Sequence, residues 1–222
     1  MQGKPLIDWD WIFRHLDDVG TRTVQHLTLT IIPIILGFVI ALFLAIWAAR
    51  QPRVYGPLLA VSGVLYTIPS LAAFAFLRPI FGLSLLTAII PLTTYTLLIL
   101  LRNNTEGFRA VPADVLEAAE AMGYSRRERL RRIELPLAVP LMIAGIRLAV
   151  VTTIGLATVA AILGDSFGGY GQFLTEGLQT FFSTKIYLGA VLSVALAFAA
   201  DFALIRVERR LTPWAQARAG RA

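Results

Sequence analysis

The 222-residue chain has no cysteine and only two histidines, His15 and His26. The first absence excludes disulfides, thiol catalysis and cysteine-based metal sites. The second excludes a histidine-rich metal site inside the apolar part of the chain, because both histidines precede the first long apolar run. Lysine is nearly absent: Lys4 and Lys185 are the only two, and neither stands in the G-x-x-x-x-G-K-[ST] pattern that cradles nucleotide phosphates. Charge is sparse too. Charged residues make up 15% of the chain and hydrophobic ones 57%, where soluble domains carry about 25% and 45–50%. With a mean hydropathy of +0.71, this composition argues against a soluble enzyme and for an all-α membrane protein. The net charge of +6 is then read first as loop orientation and not as affinity for nucleic acid.

Gaps between charges locate the spans. Thr23 to Ala49, Val54 to Leu77 and Pro79 to Leu101 contain no Asp, Glu, Lys or Arg. Leu135 to Gly164 is interrupted only by Arg147, and Ile186 to Ile205 only by Asp201. Each exceeds the roughly 18 apolar residues that mark a spanning helix. The reading is five spans, near 27–49, 55–77, 83–101, 137–163 and 186–206. Pro33, Pro69, Pro91 and Pro140 fall inside them and are expected as kinks or close helix contacts, which membrane helices tolerate. Five spans put the termini on opposite sides. Fourteen basic residues lie on the side of Arg50, Arg53, the 102–136 loop and the C-terminal tail, against five on the other. The positive-inside rule therefore places the long loop and C-terminus in the cytoplasm and the N-terminus outside. Residues 1–23 form an extracytoplasmic segment, 24–206 the membrane part and 207–222 a cytoplasmic tail. In the first segment Trp9, Ile12, Phe13 and Leu16 have the spacing of a short interfacial helix.

The 102–136 loop reads as helix, break, helix. Asp114 with Glu117, and Ser125 with Glu128, have capping-box spacing. Gly123 suits the position after a helix where φ is positive. The second helix is rich in arginine: Arg126, Arg127, Arg129, Arg131 and Arg132 suit anionic headgroups or an acidic partner.

Glu117-Ala118-Ala119, Gly123, Ile133 and Leu135-Pro136 resemble the EAA signature of ATP-binding-cassette (ABC) importer permeases. All seven fixed positions over twenty residues are met. The resemblance implies the type I importer permease fold, with a coupling helix from Asp114 to Met122 that docks on a separate ATPase. It implies two ATPase subunits that bind ATP and Mg, a second permease identical or paralogous, an extracytoplasmic substrate-binding protein, and a bacterial inner membrane. No cofactor is expected in this chain.

Further pieces resemble the glycine betaine, choline and osmoprotectant permeases. They are Tyr66-Thr67-Ile68-Pro69-Ser70-Leu71, Leu101-Arg102-Asn103-Asn104-Thr105, Ala144-Gly145-Ile146-Arg147 and the 164–171 stretch. In the last, Asp165 and Phe167 depart from that subfamily's small residues. A quaternary ammonium cargo fits the chemistry, because aromatic faces attract cations. The candidate path residues are Tyr66, Thr67, Ser70, Tyr95, Arg147 and Tyr170. Arg147 is expected either to pair with Asp201 or to meet the cargo, since an intramembrane charge needs a partner or a purpose. The alternatives are an importer permease for an amino acid or other small polar solute and, more distantly, an ATP-independent secondary transporter or channel.

Overall fold

Residues 6–164 and 167–214 are described by a computed structural model; Asp165 lies outside the described residues. They are helical almost throughout: α1 (Trp9–Arg14), α2 (Leu16–Arg50), α3 (Pro52–Thr67), α4 (Ser70–Phe81), α5 (Leu85–Arg109), α6 (Ala113–Ala121), α7 (Arg126–Arg129), α8 (Leu135–Ala157), α9 (Tyr170–Gln179) and α10 (Ser183–Leu211). A π-helical turn joins α7 to α8, and a 3₁₀ stretch extends α8 through Thr158–Leu163. Four single helices are long and apolar enough to cross a membrane. The pair α3–α4 is apolar enough only when taken together, and gives a fifth span if it counts as one.

The helix α5 is the hub, with α2 and α8 packed along it. Toward one end, Ala41, Ala45, Leu100, Leu101, Phe108, Ala138, Met142 and Ala149 form a buried cluster. Toward the other, Leu29, Phe74, Ala88, Leu92, Ala157, Ala160 and Leu163 form a second. Alanine supplies four of the eight residues in the first and three of the seven in the second, as suits membrane helices that associate by close backbone approach and not by expulsion of water. Gly37 shows how close: a Cβ there would sit 1.8 Å from Thr96 Oγ1. By contrast α10 buries only Thr184 and Gly189, so most of its apolar surface faces outward.

The stretch 55–77 was expected as one continuous helical span, and the structure breaks that helix in two. Its two helices meet at an angle of 89°. Pro69 is the cause. It has no N–H to continue the helix, and it pushes the preceding residue out of the helical region; Ile68 is extended, with ψ 125°. The other prolines inside spans do not end their helices. Helices also overrun the apolar gaps. α5 continues to Arg109 and α10 to Leu211. At 35 residues, α2 is about 52 Å long, more than the roughly 40–45 Å of a bilayer with its headgroups. Of its charged residues, Asp17, Asp18 and Arg22 lie in its first two turns, ahead of the charge-free stretch from Thr23 to Ala49.

Candidate functional site

The loop after α5 is built around α6. Asp114 is not its N-cap, as the sequence spacing suggested. The helix starts two residues earlier than such a cap would set, at Ala113, with Pro112 in the cap position and no side-chain cap. Proline's fixed φ pre-sets that start, and Asp114 lies in the first turn, where a carboxylate meets the positive end of the helix dipole. The exit follows the sequence closely. Gly123 has φ +80°; its N–H donates to Glu120 O at 2.9 Å, and the Tyr124 N–H donates to Ala119 O at 3.1 Å. This pair of bonds is a Schellman cap.

The helix has two unlike faces. Ala119 is fully buried, and Leu116 is partly so. Asp114, Glu117, Ala118, Ala121 and Met122 are exposed, Met122 to 68%. The signature triad is thus divided: Glu117 and Ala118 face outward and Ala119 holds the helix to the protein. Arg129 fastens it further, donating to Glu134 at 2.9 Å and to Glu120 at 3.4 Å. Of the five loop arginines, this one is committed within the chain.

Ser125 and Glu128 form the expected reciprocal capping box at the start of α7. The hydrogen bonds from the Ser125 hydroxyl and backbone N–H hold the exposed Glu128 carboxyl below its ordinary value. The sequence is read as a loop to residue 136 followed by a separate span from 137. Instead α7, the π-helical turn Leu130–Glu134 and α8 form one continuous helix. Pro136 has no N–H for the carbonyl four residues back, and its ring crowds that carbonyl. Widening the preceding turn relieves the clash without breaking the rod. Ile133, Leu135 and Pro136, all half-buried, lie at this seam between loop and span.

The subfamily motifs also meet in space. The edge of Tyr66 faces the ring of Tyr95 at 6.0 Å. The Tyr95 hydroxyl donates to Ile68 O at 2.7 Å, satisfying a carbonyl freed by the break. Tyr66 and Thr67 at the bend are exposed and Ser70 is half-buried, while Tyr95 is buried behind them. The Thr67 hydroxyl bonds Val64 O of its own helix. Asn103 packs against Gly145, where a Cβ would come within 2.5 Å. Asn104 and Thr105 are fully buried beside them.

Arg147 reaches Asp201 through two bonds, Nε–Oδ1 at 2.7 Å and Nη2–Oδ2 at 3.2 Å, and Glu208 lies 3.5 Å away. The fork joins α8 to α10 and closes one end of a cavity of about 490 Å³ lined by Ala144, Leu148, Val151, Val194, Ala197 and Phe198. Tyr170 is only 3% exposed. Its ring stacks on His26 at 4.5 Å, its N–H donates to His26 Nδ1, and its hydroxyl donates to Thr23. In this chain Tyr170 ties α9 to α2 and presents no free face to a path. His26 was missed as a structural residue. The available signal was its helical register with Thr23 and Thr30.

At the other end of the molecule, Asp8 caps α1 by accepting from the Trp11 N–H, and its own N–H donates to Thr184 at the start of α10. Glu176 gathers Arg22, Lys185 and Gln172. Burial works against its ionisation, but the bonds from Lys185 and Gln172 and the charges of Lys185 and Arg22 prevail and hold its carboxyl below the ordinary value.

A bundle of membrane helices with a capped, half-docked helix in its main loop defines the membrane permease subunit of an ABC importer. The chain belongs to the family described as "Binding-protein-dependent transport system inner membrane component", whose model matches residues 34–213. It is 36% identical over 192 residues to the "Choline transport system permease protein OpuBB" of Bacillus subtilis, covering 86% of this chain and 88% of that one. It is 34% identical, over the same shares, to the "Glycine betaine/carnitine/choline transport system permease protein OpuCB" of that organism. The fold matches the MetNI methionine ABC transporter in an inward-facing conformation with a TM-score of 0.74 at 24% identity, covering 86% of this chain and 94% of the other.

Proposed function

We propose that this permease subunit imports quaternary ammonium osmoprotectants such as choline, glycine betaine or carnitine, driven by ATP that a separate subunit hydrolyses. The relatives' named cargoes support the solute class. The observation that carries the coupling reading is the exposed face of α6, a nine-residue helix anchored on one side by Ala119 and the Arg129–Glu120 pair and free on the other. Asp114, Glu117, Ala118 and Met122 would contact the ATPase, with Ala119 and Gly123 fixing the helix. Ile133, Leu135 and Pro136 would carry its movement into α8.

Two ATPase subunits bind ATP and Mg, and each engages one coupling helix. A second permease, identical or paralogous, completes the path, and an extracytoplasmic binding protein delivers the cargo. The bent α3–α4 pair crosses as one span, so the N-terminal segment with its interfacial α1 lies outside and α6 and the C-terminal tail lie in the cytoplasm. Tyr66, Thr67 and Ser70 at the bend face the path, with Tyr95 bracing them. Exposed aromatic faces would give a cation weak, transient contacts, each about 0.5–1 kcal/mol. Weak contacts suit a path, because cargo must leave it.

The test is uptake of labelled choline, glycine betaine and carnitine into proteoliposomes holding this chain with its cognate ATPase and binding protein. ATP-dependent uptake of at least one of the three is expected. Uptake of an amino acid with none of these three would overturn the cargo assignment, and uptake without ATPase would overturn the coupling.

A further inference from the structure

Behind α6, on the side away from its exposed face, lies a cavity of about 550 Å³. Four arginines line it: Arg50 at the end of α2, Arg109 at the end of α5, and Arg126 and Arg129 on α7. Its apolar wall includes Ile46 and Phe108. The guanidinium of Arg129 is satisfied by Glu134 and Glu120. That of Arg109 pairs with Glu106 and lies 4.1 Å over the Tyr55 ring. Arg50 and Arg126 form no ion pair among the described residues. The cavity thus holds two uncommitted guanidiniums over an apolar wall. Its depth is also marked. Arg50 closes a spanning helix, and Trp47, one turn earlier, is exposed, as tryptophans are at the membrane–water boundary.

We propose that this cavity is a seat for a phosphate group, that of an anionic phospholipid headgroup, gripped by Arg50 and Arg126. Guanidinium forks match phosphate oxygens in geometry and charge. The apolar wall suits the glycerol and upper acyl chain of a lipid better than it suits a free ion. A bound headgroup would brace α6 from behind through Leu116 and Glu120, which line the same cavity. The seat does not depend on which solute is carried.

The test is native mass spectrometry of the purified full chain released from nanodiscs of mixed phosphatidylglycerol and phosphatidylcholine. Preferential retention of phosphatidylglycerol is expected. It should fall about tenfold or more in R50Q/R126Q, the scale of two cations at a charged surface, and stay unchanged in R131Q/R132Q, whose arginines lie outside the cavity. If R50Q/R126Q does not fold, R50K/R126K keeps the charge and loses the fork, and reduced selectivity is expected there. Displacement of the lipid by millimolar inorganic phosphate would support the phosphate site and add free phosphate as a source. Equal retention by wild type and the cavity variants, or an equal loss in R131Q/R132Q, would overturn the proposal. No transport is measured, so failure of the cargo assignment leaves this result standing.

Discussion

Replacing Gly123 isolates the exit of α6, the proposed coupling helix, from everything else. A Cβ at Gly123 would meet nothing within 4 Å, so a substitution adds no clash and acts through the backbone alone. With φ at +80°, Gly123→Ala costs about 1–2 kcal/mol, the penalty for an L-residue in the left-handed region. That lowers the ratio of capped to uncapped α6 by about 5–30-fold. Asparagine tolerates this region better, so Gly123→Asn should cost less. Gly123→Pro should cost most, because it forbids the positive φ and removes the N–H that donates to Glu120. The expected order of ATP-driven uptake in proteoliposomes is Gly, Asn, Ala, Pro. Raising the ATPase concentration should recover the alanine variant, whose docked form is rarer but intact, and fail to recover the proline variant. Normal transport by Gly123→Pro would refute the coupling role of α6. Equal losses in the asparagine and alanine variants would refute the backbone argument.

Arg147→Met should lower the melting temperature of the detergent-solubilised chain, because it removes the cation that Asp201 and Glu208 share. A double-mutant cycle with Asp201→Asn should show non-additive losses by thermal melting; no coupling would mean that the fork is incidental. Gly37→Val should lower the melting temperature sharply by driving α2 from α5, at about 1–3 kcal/mol for overpacking, and Thr96→Ala in the same chain should recover part of the loss. The lowered Glu176 carboxyl gives the corner where α1, α9 and the start of α10 meet a pH response. A depressed carboxylate contributes stability that is complete above its ordinary value near 4.5 and is lost as pH falls through the lower folded value. Hydrogen exchange at α1 and α9 should therefore quicken on acidification below that ordinary value in wild type, and show no such step in Glu176→Gln.

Residues whose role is local were legible in the sequence. Gly123 announced a left-handed exit, Ser125 and Glu128 announced a cap, and charge-free gaps announced the apolar helices. In each case the cause lies within a few residues or in composition. Where competing local forces meet, the sequence was less decisive. Asp114 and Glu117 have capping-box spacing, but Pro112 starts the helix first. Pro69, Pro91 and Pro140 look alike in a list of apolar residues, yet only Pro69 turns its helix through 89°. The difference lies in another helix: Tyr95, 27 positions away, supplies the donor that makes an open carbonyl at Ile68 tolerable. Tyr170 was likewise beyond reach, because its partner His26 is 144 positions away.

The proline at 136 shows why the signature ends as it does. A coupling helix that only docked would pass no motion to the membrane. Here α7 and α8 share one rod from Arg126 to Ala161, and Arg129 of α7 pairs with Glu120 of α6, so under the proposed coupling a push on α6 would act through Arg129 on a continuous lever. Pro136 would be expected to break that lever, but the π-helical turn at Leu130–Glu134 absorbs the missing bond and the crowded carbonyl. A wider turn also shifts the register between the two halves, so the face of α7 toward Glu120 and the face of α8 toward α5 are set together. The Leu-Pro at the end of the signature thus sets the angle at which loop and span are joined. Replacing Pro136 with Ala should restore a regular turn, keep or raise the thermal stability of the isolated chain, and still uncouple ATP hydrolysis from uptake. Full coupling with a regular turn, shown by hydrogen exchange across 130–136, would refute a mechanical role for the widened turn.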